Sequence, residues 1–285
     1  MEGTLQIRDF FYAGYKNYCL RRFETAGEEE RKEAEEYIYQ IYMMENEKKD
    51  MIINLKNSTN ENLQLLYMYY KHYYLKEKMQ DENSLLNEIK KLKITSVNGN
   101  ILKSRFFFDY ELLQECFELM QDGPIEVISS KILLLLHMNR HDLASQMINE
   151  YKKMNDEIPI IKIMLAIFYL YDDNNKESFL IFDDLESMYE STVNDISTII
   201  LNGKGVSNIL NYEFNDAKEL LKKALHEDIS NGDVLHNLIT CSLYLYELED
   251  ANEYLNKLYD SYPSHESLSL LKQIDHEVDT FAPQF

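Results

Sequence analysis

Residues 201–225, LNGKGVSNILNYEFNDAKELLKKAL, and residues 235–259, LHNLITCSLYLYELEDANEYLNKLY, are two versions of one pattern set 34 residues apart. Leu201 answers Leu235, Ala217 answers Ala251, Leu221 answers Leu255, and further on Ile229 answers Pro263. A small residue at a crossing lets two antiparallel helices approach. Bulky apolar residues one turn away fill the space beside it. The pattern therefore reads as a helix–turn–helix hairpin that repeats.

The period continues upstream. Ala144, Ile148 and Tyr151 answer Ser178, Phe182 and Leu185 at the same spacing of 34. From Ser178 to Ala217 the step is 39, which places a five-residue insertion between the second and third copies, in the polar stretch 188–195. A period of 34 with Leu-x2-Leu, Ala-x3-Leu and a later Pro is that of the tetratricopeptide hairpin. The expected fold class is all-α, a tetratricopeptide-like helical-hairpin solenoid. Polar breaks divide each copy: Asn139 to Asp142, Asp172 to Asn175, Asn215-Asp216 and Glu249-Asp250. Asn and Asp suit both the turn and the N-cap of the next helix.

Composition agrees. The 285 residues contain only 8 Gly and 4 Pro, so few breakers interrupt the helices. The hydrophobic share is 45%, enough for a substantial core and against global disorder. Asp and Glu outnumber Lys and Arg by 50 to 29, a formal charge of −21. Such a chain repels phosphate backbones and anionic lipid, which argues against nucleic acid as a partner and makes any membrane association indirect. Cys19, Cys116 and Cys241 are scattered, form no CxxC, and read as small buried hydrophobes in a reducing compartment. Residues 1–23 carry Glu2, Arg8, Asp9 and Lys16 and have no apolar signal core.

Along the first half, helices are expected around Gly14 in 5–23, over 28–44, 63–75 and 85–94, and over 101–120 with the block Phe106-Phe107-Phe108. Residues 46–62 and 95–100 read as loops. This half shows no 34-residue spacing, and degenerate repeats or a different helical domain would both produce that; similar helix lengths favour repeats. The expected divisions are 1–121 (degenerate hairpins), 122–265 (regular repeats, opening after Asp122-Gly123-Pro124) and 266–285 (a capping helix over 267–278 and an apolar tail, residues 281–285, that packs back).

No catalytic constellation emerges. His137 and His141 have the i, i+4 spacing of metal ligands but flank the expected turn, and no HExxH accompanies them. Gly203-Lys204-Gly205 lacks the rest of a phosphate loop and follows no strand; Gly205 fits better as the small residue of a close helix crossing. Acidic pairs such as Asp172-Asp173 and Asp183-Asp184 suit solvated faces or caps. No cofactor or metal is expected.

The repeats predict a surface instead. The first helix of such a hairpin lines the concave side through its positions 2, 5, 9 and 12. Those are Glu126, Ser129, Leu133 and Leu136 in the first regular copy, then Ile160, Ile163, Ile167 and Leu170, then Ile199, Asn202, Val206 and Ile209. The candidate partner-binding residues are the apolar ones: Leu133, Leu136, Ile160, Ile163, Ile167, Leu170, Ile199, Val206 and Ile209. They either hold an apolar helix or hairpin of a partner or, with the phase shifted by one, form core between repeats.

Four stretches, RDFFYAGYKNYCL (8–20), the segment 131–171 that begins KILLLLHMNRHDLASQMINEYKKMNDE, ILNGKGVSNILNYEFNDAKELLKKAL (200–225) and LKQIDHEVDTFAPQF (271–285), resemble the coatomer epsilon subunit family in the family's order. The likeness covers residues 5–23 and most of 122–285 and is thin between about 45 and 120. It implies a non-catalytic subunit of the cytoplasmic COPI vesicle coat. Such a subunit grips the C-terminal domain of the alpha subunit and stands beside the other coatomer subunits. It lies peripherally on Golgi membranes and COPI vesicles, in Golgi-to-endoplasmic-reticulum retrograde transport. A rival reading is a tetratricopeptide adaptor or co-chaperone for an acidic peptide terminus, which needs a clamp of Lys and Arg where this chain is aliphatic.

Overall fold

A computed structural model describes residues 2–45, 48–75, 82–121, 123–152, 158–190, 192–229, 231–263 and 265–281. Among them are α-helices and no strand. The chain is all-α and tetratricopeptide-like, and it clusters into two compact units, Met1–Met164 and Leu165–Phe285.

The first unit runs α1 (Glu2–Tyr12), α2 (Lys16–Thr25), α3 (Glu28–Glu45), α4 (Lys49–Asn54), a 3-10 turn (Leu55–Asn57), α5 (Glu61–Tyr70) with a π-helical extension (Lys71–Leu75), α6 (Glu82–Lys91), α7 (Val97–Asp109), α8 (Leu113–Glu118), α9 (Ile125–His137) and α10 (His141–Tyr151). Helix α11 (Pro159–Tyr171) spans the division. The second unit continues with α12 (Asn175–Glu190), α13 (Thr198–Leu210), α14 (Phe214–Glu227), α15 (Gly232–Tyr244), α16 (Leu248–Ser261) and α17 (Glu266–Phe281).

One backbone device makes the hairpins. Asn139, Asp173, Tyr212 and Tyr246 all adopt a left-handed conformation, with φ of 57°, 57°, 64° and 59°. Their spacing reproduces the sequence period, 34, then 39, then 34 residues. The next residue donates its N–H five residues back: Arg140 to Leu135 O (2.8 Å), Asn174 to Tyr169 O (2.9 Å), Glu213 to Asn208 O (2.8 Å) and Glu247 to Ser242 O (2.9 Å). This is the Schellman closure, which satisfies the last carbonyls of one helix and reverses the chain for the next. It also occurs in the first half, without the period. Gly14 (φ 84°) closes α1 onto α2, and Glu111 (φ 58°) closes α7 onto α8.

The polar breaks thus serve the turn more than the cap. Arg140, Glu213 and Glu247, at the N-caps of α10, α14 and α16, make no side-chain cap bond. Side-chain caps sit instead at the leading helices, where Ser197 accepts from Ile200 N and Asn231 from Val234 N. The five-residue insertion is divided. Helix α12 has 16 residues against 14 in α14, and seven residues separate α12 from α13 where four separate α14 from α15.

Three first-half expectations need correction. Residues 49–57 are helical, because Ile52 and Leu55 bury one face among the polar residues that suggested a loop. Helix α7 starts at Val97, inside the expected loop 95–100, because Ser96 Oγ accepts from Gly99 N at 2.9 Å and caps it. The expected helix 101–120 breaks at Glu111 into α7 and α8. At the C-terminus α17 forms, but Phe281 is 62% exposed rather than packed back, and residues 282–285 lie outside the described residues. Asp122 also lies outside them.

In the second unit, α13 packs on α12 and α14, and α15 on α14 and α16. The core collects the repeat residues Leu201, Ala217, Leu221, Leu235, Leu238 and Leu258 with Cys241. Each buried Leu contributes about 1.5–3 kcal/mol of hydrophobic free energy. Gly203 and Gly205 set the spacing, since a Cβ on Gly203 would stand 2.4 Å from the Phe182 ring and one on Gly205 2.8 Å from Leu221.

Candidate interaction surface

Helix α13 shows how the surface arises. Flanked by α12 and α14, it buries Thr198, Ile200, Leu201, Gly203, Lys204, Gly205, Ser207 and Asn208. Up to Ile209, the residues left open are Ile199 (42% exposed) and the half-buried Asn202, Val206 and Ile209. That stripe is positions 2, 5, 9 and 12 of the repeat. One repeat later on α15, Asp233, His236, Thr240 and Leu243 are open in the same way. Asn237 Nδ2 donates to Asn202 Oδ1 at 2.9 Å and joins the two helices beside the stripe. On α11, Ile163, Ile167 and Leu170 are half-buried, while Ile160 is buried and belongs to the packing.

The first regular copy departs from this. Leu133 is exposed, but Leu136, Glu126 and Ser129 are buried. Other parts of the chain bond the last two. Arg8 of α1 places Nη1 2.8 Å from Glu126 Oε1, and the Tyr151 hydroxyl bonds Ser129 Oγ and donates to Ile125 O at 3.0 Å. Burial, ahead of any other influence, pushes the Tyr151 hydroxyl up to about 12. Sequence spacing could not announce a cover supplied from 118 residues away.

The features weighed for chemistry are accounted for by packing. Lys204 lies mid-helix with Nζ 2.6 Å from Asp183 and 2.7 Å from Glu186, so the glycines around it serve helix contact. His137 ends α9 and His141 begins α10, on opposite sides of the turn at Asn139. Among the described residues no group of three His, Cys, Asp or Glu is placed to hold a metal. All three cysteines are buried and in no disulfide, and burial raises the Cys116 and Cys241 thiols to about 11, which suppresses the thiolate.

Spacing arguments missed a second feature. Tyr212 and Tyr246, 34 residues apart at the left-handed turns, are 79% and 89% exposed. Beside them Phe214 and Tyr244 stack, with centroids 4.4 Å apart. The recurrence of Tyr at the period was the available signal.

A repeat of helical hairpins in which the leading helix α13 leaves a largely apolar stripe open is a tetratricopeptide-like protein, a class that binds through the surface its stacked repeats present. The profile of the family described as Coatomer epsilon subunit matches residues 3–285. Coatomer subunit epsilon-2 of Oryza sativa subsp. indica is 30% identical over 161 residues, 56% of this chain and 51% of the rice protein. Coatomer subunit epsilon of Caenorhabditis elegans is 24% identical over 297 residues, covering 99% of this chain and 98% of the worm protein. Coatomer subunit epsilon-2 of Arabidopsis thaliana is 24% identical, covering 98% and 94%. The chain spans about half the length of the rice relative it matches. The chain belongs to the coatomer epsilon subunit family.

Proposed function

We propose that this protein is a non-catalytic structural subunit of the COPI coat, and that its open stripe binds and stabilises the C-terminal domain of the alpha subunit in Golgi-to-endoplasmic-reticulum retrograde transport. The stripe on α13, with Ile199 exposed and Val206 and Ile209 half-buried between two packed flanks, is the observation that carries the reading. Family membership supports the coat and its other subunits as the setting. The partner is an apolar helix or hairpin laid along the leading helices, and burying the stripe against it stiffens both chains. Residues 122–265 act as the holding module and 266–285 as its end cap. The protein works in the cytoplasm and reaches Golgi membranes and COPI vesicles through the coat. No helix of the described residues is long and apolar enough to cross a bilayer.

The adaptor reading would put Lys or Arg along the stripe. The lysine of α13 is instead engaged by Asp183 and Glu186.

The test is Ile163→Asp with Ile167→Asp in the full chain, followed by thermal melting and co-purification of a tagged protein. The expected outcome is loss of the alpha subunit with the melt preserved, while the unaltered protein brings down the whole coat. A collapsed melt would mean that these residues are core. Retention of the alpha subunit by the folded variant would refute the assignment.

A further inference from the structure

Two consecutive repeat junctions in the second unit keep the same pair of acids at the repeat spacing, and one of them has Phe179 where the other has Lys218. At the junction of α14 and α16, the buried Lys218 reaches forward with Nζ 2.6 Å from Asp250 Oδ2 and bonded also to Glu247. Burial would depress this amine, and the two carboxylates outweigh that, holding it above the ordinary lysine value. One junction earlier the acids recur at the repeat spacing as Glu213 and Asp216, at the start of α14. The position matching Lys218 on α12 is Phe179. Neither Glu213 nor Asp216 has an ion-pair partner among the described residues.

These residues face an open cleft of about 550 Å³, walled by Phe179 and Leu180 of α12 and Leu220 of α14. At its lining lies Asn208, only 5% exposed, whose side-chain amide makes no hydrogen bond to any described residue. The amide is without a protein partner and lies on the lining of this open cleft, where a ligand could supply one. The charged groups lining the cleft are Glu213, Asp216 and Glu219 against Lys176 and Lys223, so acid prevails.

We propose that this cleft receives an arginine side chain carried on an apolar segment of a partner polypeptide. The carboxylates of Glu213 and Asp216 take the guanidinium, as their counterparts take Lys218, and the Asn208 carbonyl accepts a further N–H. Arginine suits the site better than lysine because its planar fork offers five donors to several separated acceptors. The aliphatic stem and the neighbouring apolar residue lie on Phe179, Leu180 and Leu220. The site does not depend on which partner the open stripe holds.

The experiment titrates acetyl-Leu-Arg-Leu-amide into the isotope-labelled full chain, reading the Asn208 side-chain amide and the methyls of Leu180 and Leu220 by NMR. The expected result is a saturable shift of all three that is absent with the citrulline peptide. The pair Glu213→Gln and Asp216→Asn should weaken binding about tenfold or more, as expected for lost charge-assisted hydrogen bonds. Phe179→Lys should restore the brace seen one repeat later, raising the melting temperature and abolishing binding. Melts of each variant establish that it is folded. Absence of saturable shifts, equal binding of the citrulline peptide, or undiminished binding by either folded variant would overturn the proposal.

Discussion

Gly203 is held against a ring that cannot retreat. Phe182 is 2% exposed, and a new Cβ would stand 2.4 Å from it. Gly203→Ala gains about 1 kcal/mol of helix propensity and incurs an overpacking cost of about 1–3 kcal/mol. With a contact this close, the expected net is a loss of about 1–2 kcal/mol, read by thermal or denaturant melting. Phe182→Leu in the same chain should recover part of it. A second residue gives a pH dependence. Burial first, and the neighbouring His265 second, hold His236 below the usual histidine value, although Asp233 opposes them. The rings of His236 and His265 lie 5.7 Å apart, and His265 Nε2 is 3.2 Å from Asp233 Oδ1. The unfolded chain therefore takes up a proton at His236 at a higher pH than the folded one. Stability from this group is present above its unfolded pKa of about 6.5 and declines as the pH falls below it. His236→Asn should reduce the drop in melting temperature between about pH 7.5 and pH 5.5.

At the scale of the element, the left-handed turn decides the hairpin, and its residues are a mixed set. Gly14 adopts that conformation freely, but Tyr212 and Tyr246 do not. Left-handed strain of about 1–2 kcal/mol is partly offset in a Tyr→Gly change by the backbone entropy that glycine loses. Tyr246, 89% exposed, gains little from packing. Tyr246→Gly should stabilise the fold by roughly 0.5–1 kcal/mol in a chemical melt. A loss instead would show that the ring contributes contacts of its own. The second half was legible in the sequence because Ala217 and Ala251, Leu201 and Leu235 keep register, while counting along α13 left its outer positions as either stripe or core, a choice that spacing alone does not make. The first half was less so. Ile52 and Leu55 sit within a run dense in Asn and Lys, where composition outweighed two apolar residues three apart. Glu111 gives no hint of a turn, since glutamate is not a residue that favours the left-handed region and only the backbone reveals it.

For the molecule as a whole, charge is the dominant long-range property. With 50 acidic against 29 basic residues, the folded chain repels itself, and its ion pairs, such as Arg140–Asp142, are in part exposed. Exposed pairs contribute little, so screening the net repulsion should outweigh screening the pairs. Raising NaCl from about 20 mM to about 200 mM should increase the melting temperature, since the Debye length falls from roughly 20 Å to below 10 Å. A decrease would mean that specific pairs dominate. The part of the candidate surface that sequence could not foresee is also long-range: Glu126 and Ser129 hold the expected phase, but Arg8 and Tyr151 occupy the space before them.

The sealed positions of Cys19, Cys116 and Cys241 have a practical result. A maleimide or photo-crosslinker added to the folded protein meets no native reactive sulfur. One cysteine engineered at Ile209, and another at Leu180 in a separate chain, would each be the sole handle, so whichever companion became covalently attached would report its address on the surface without background.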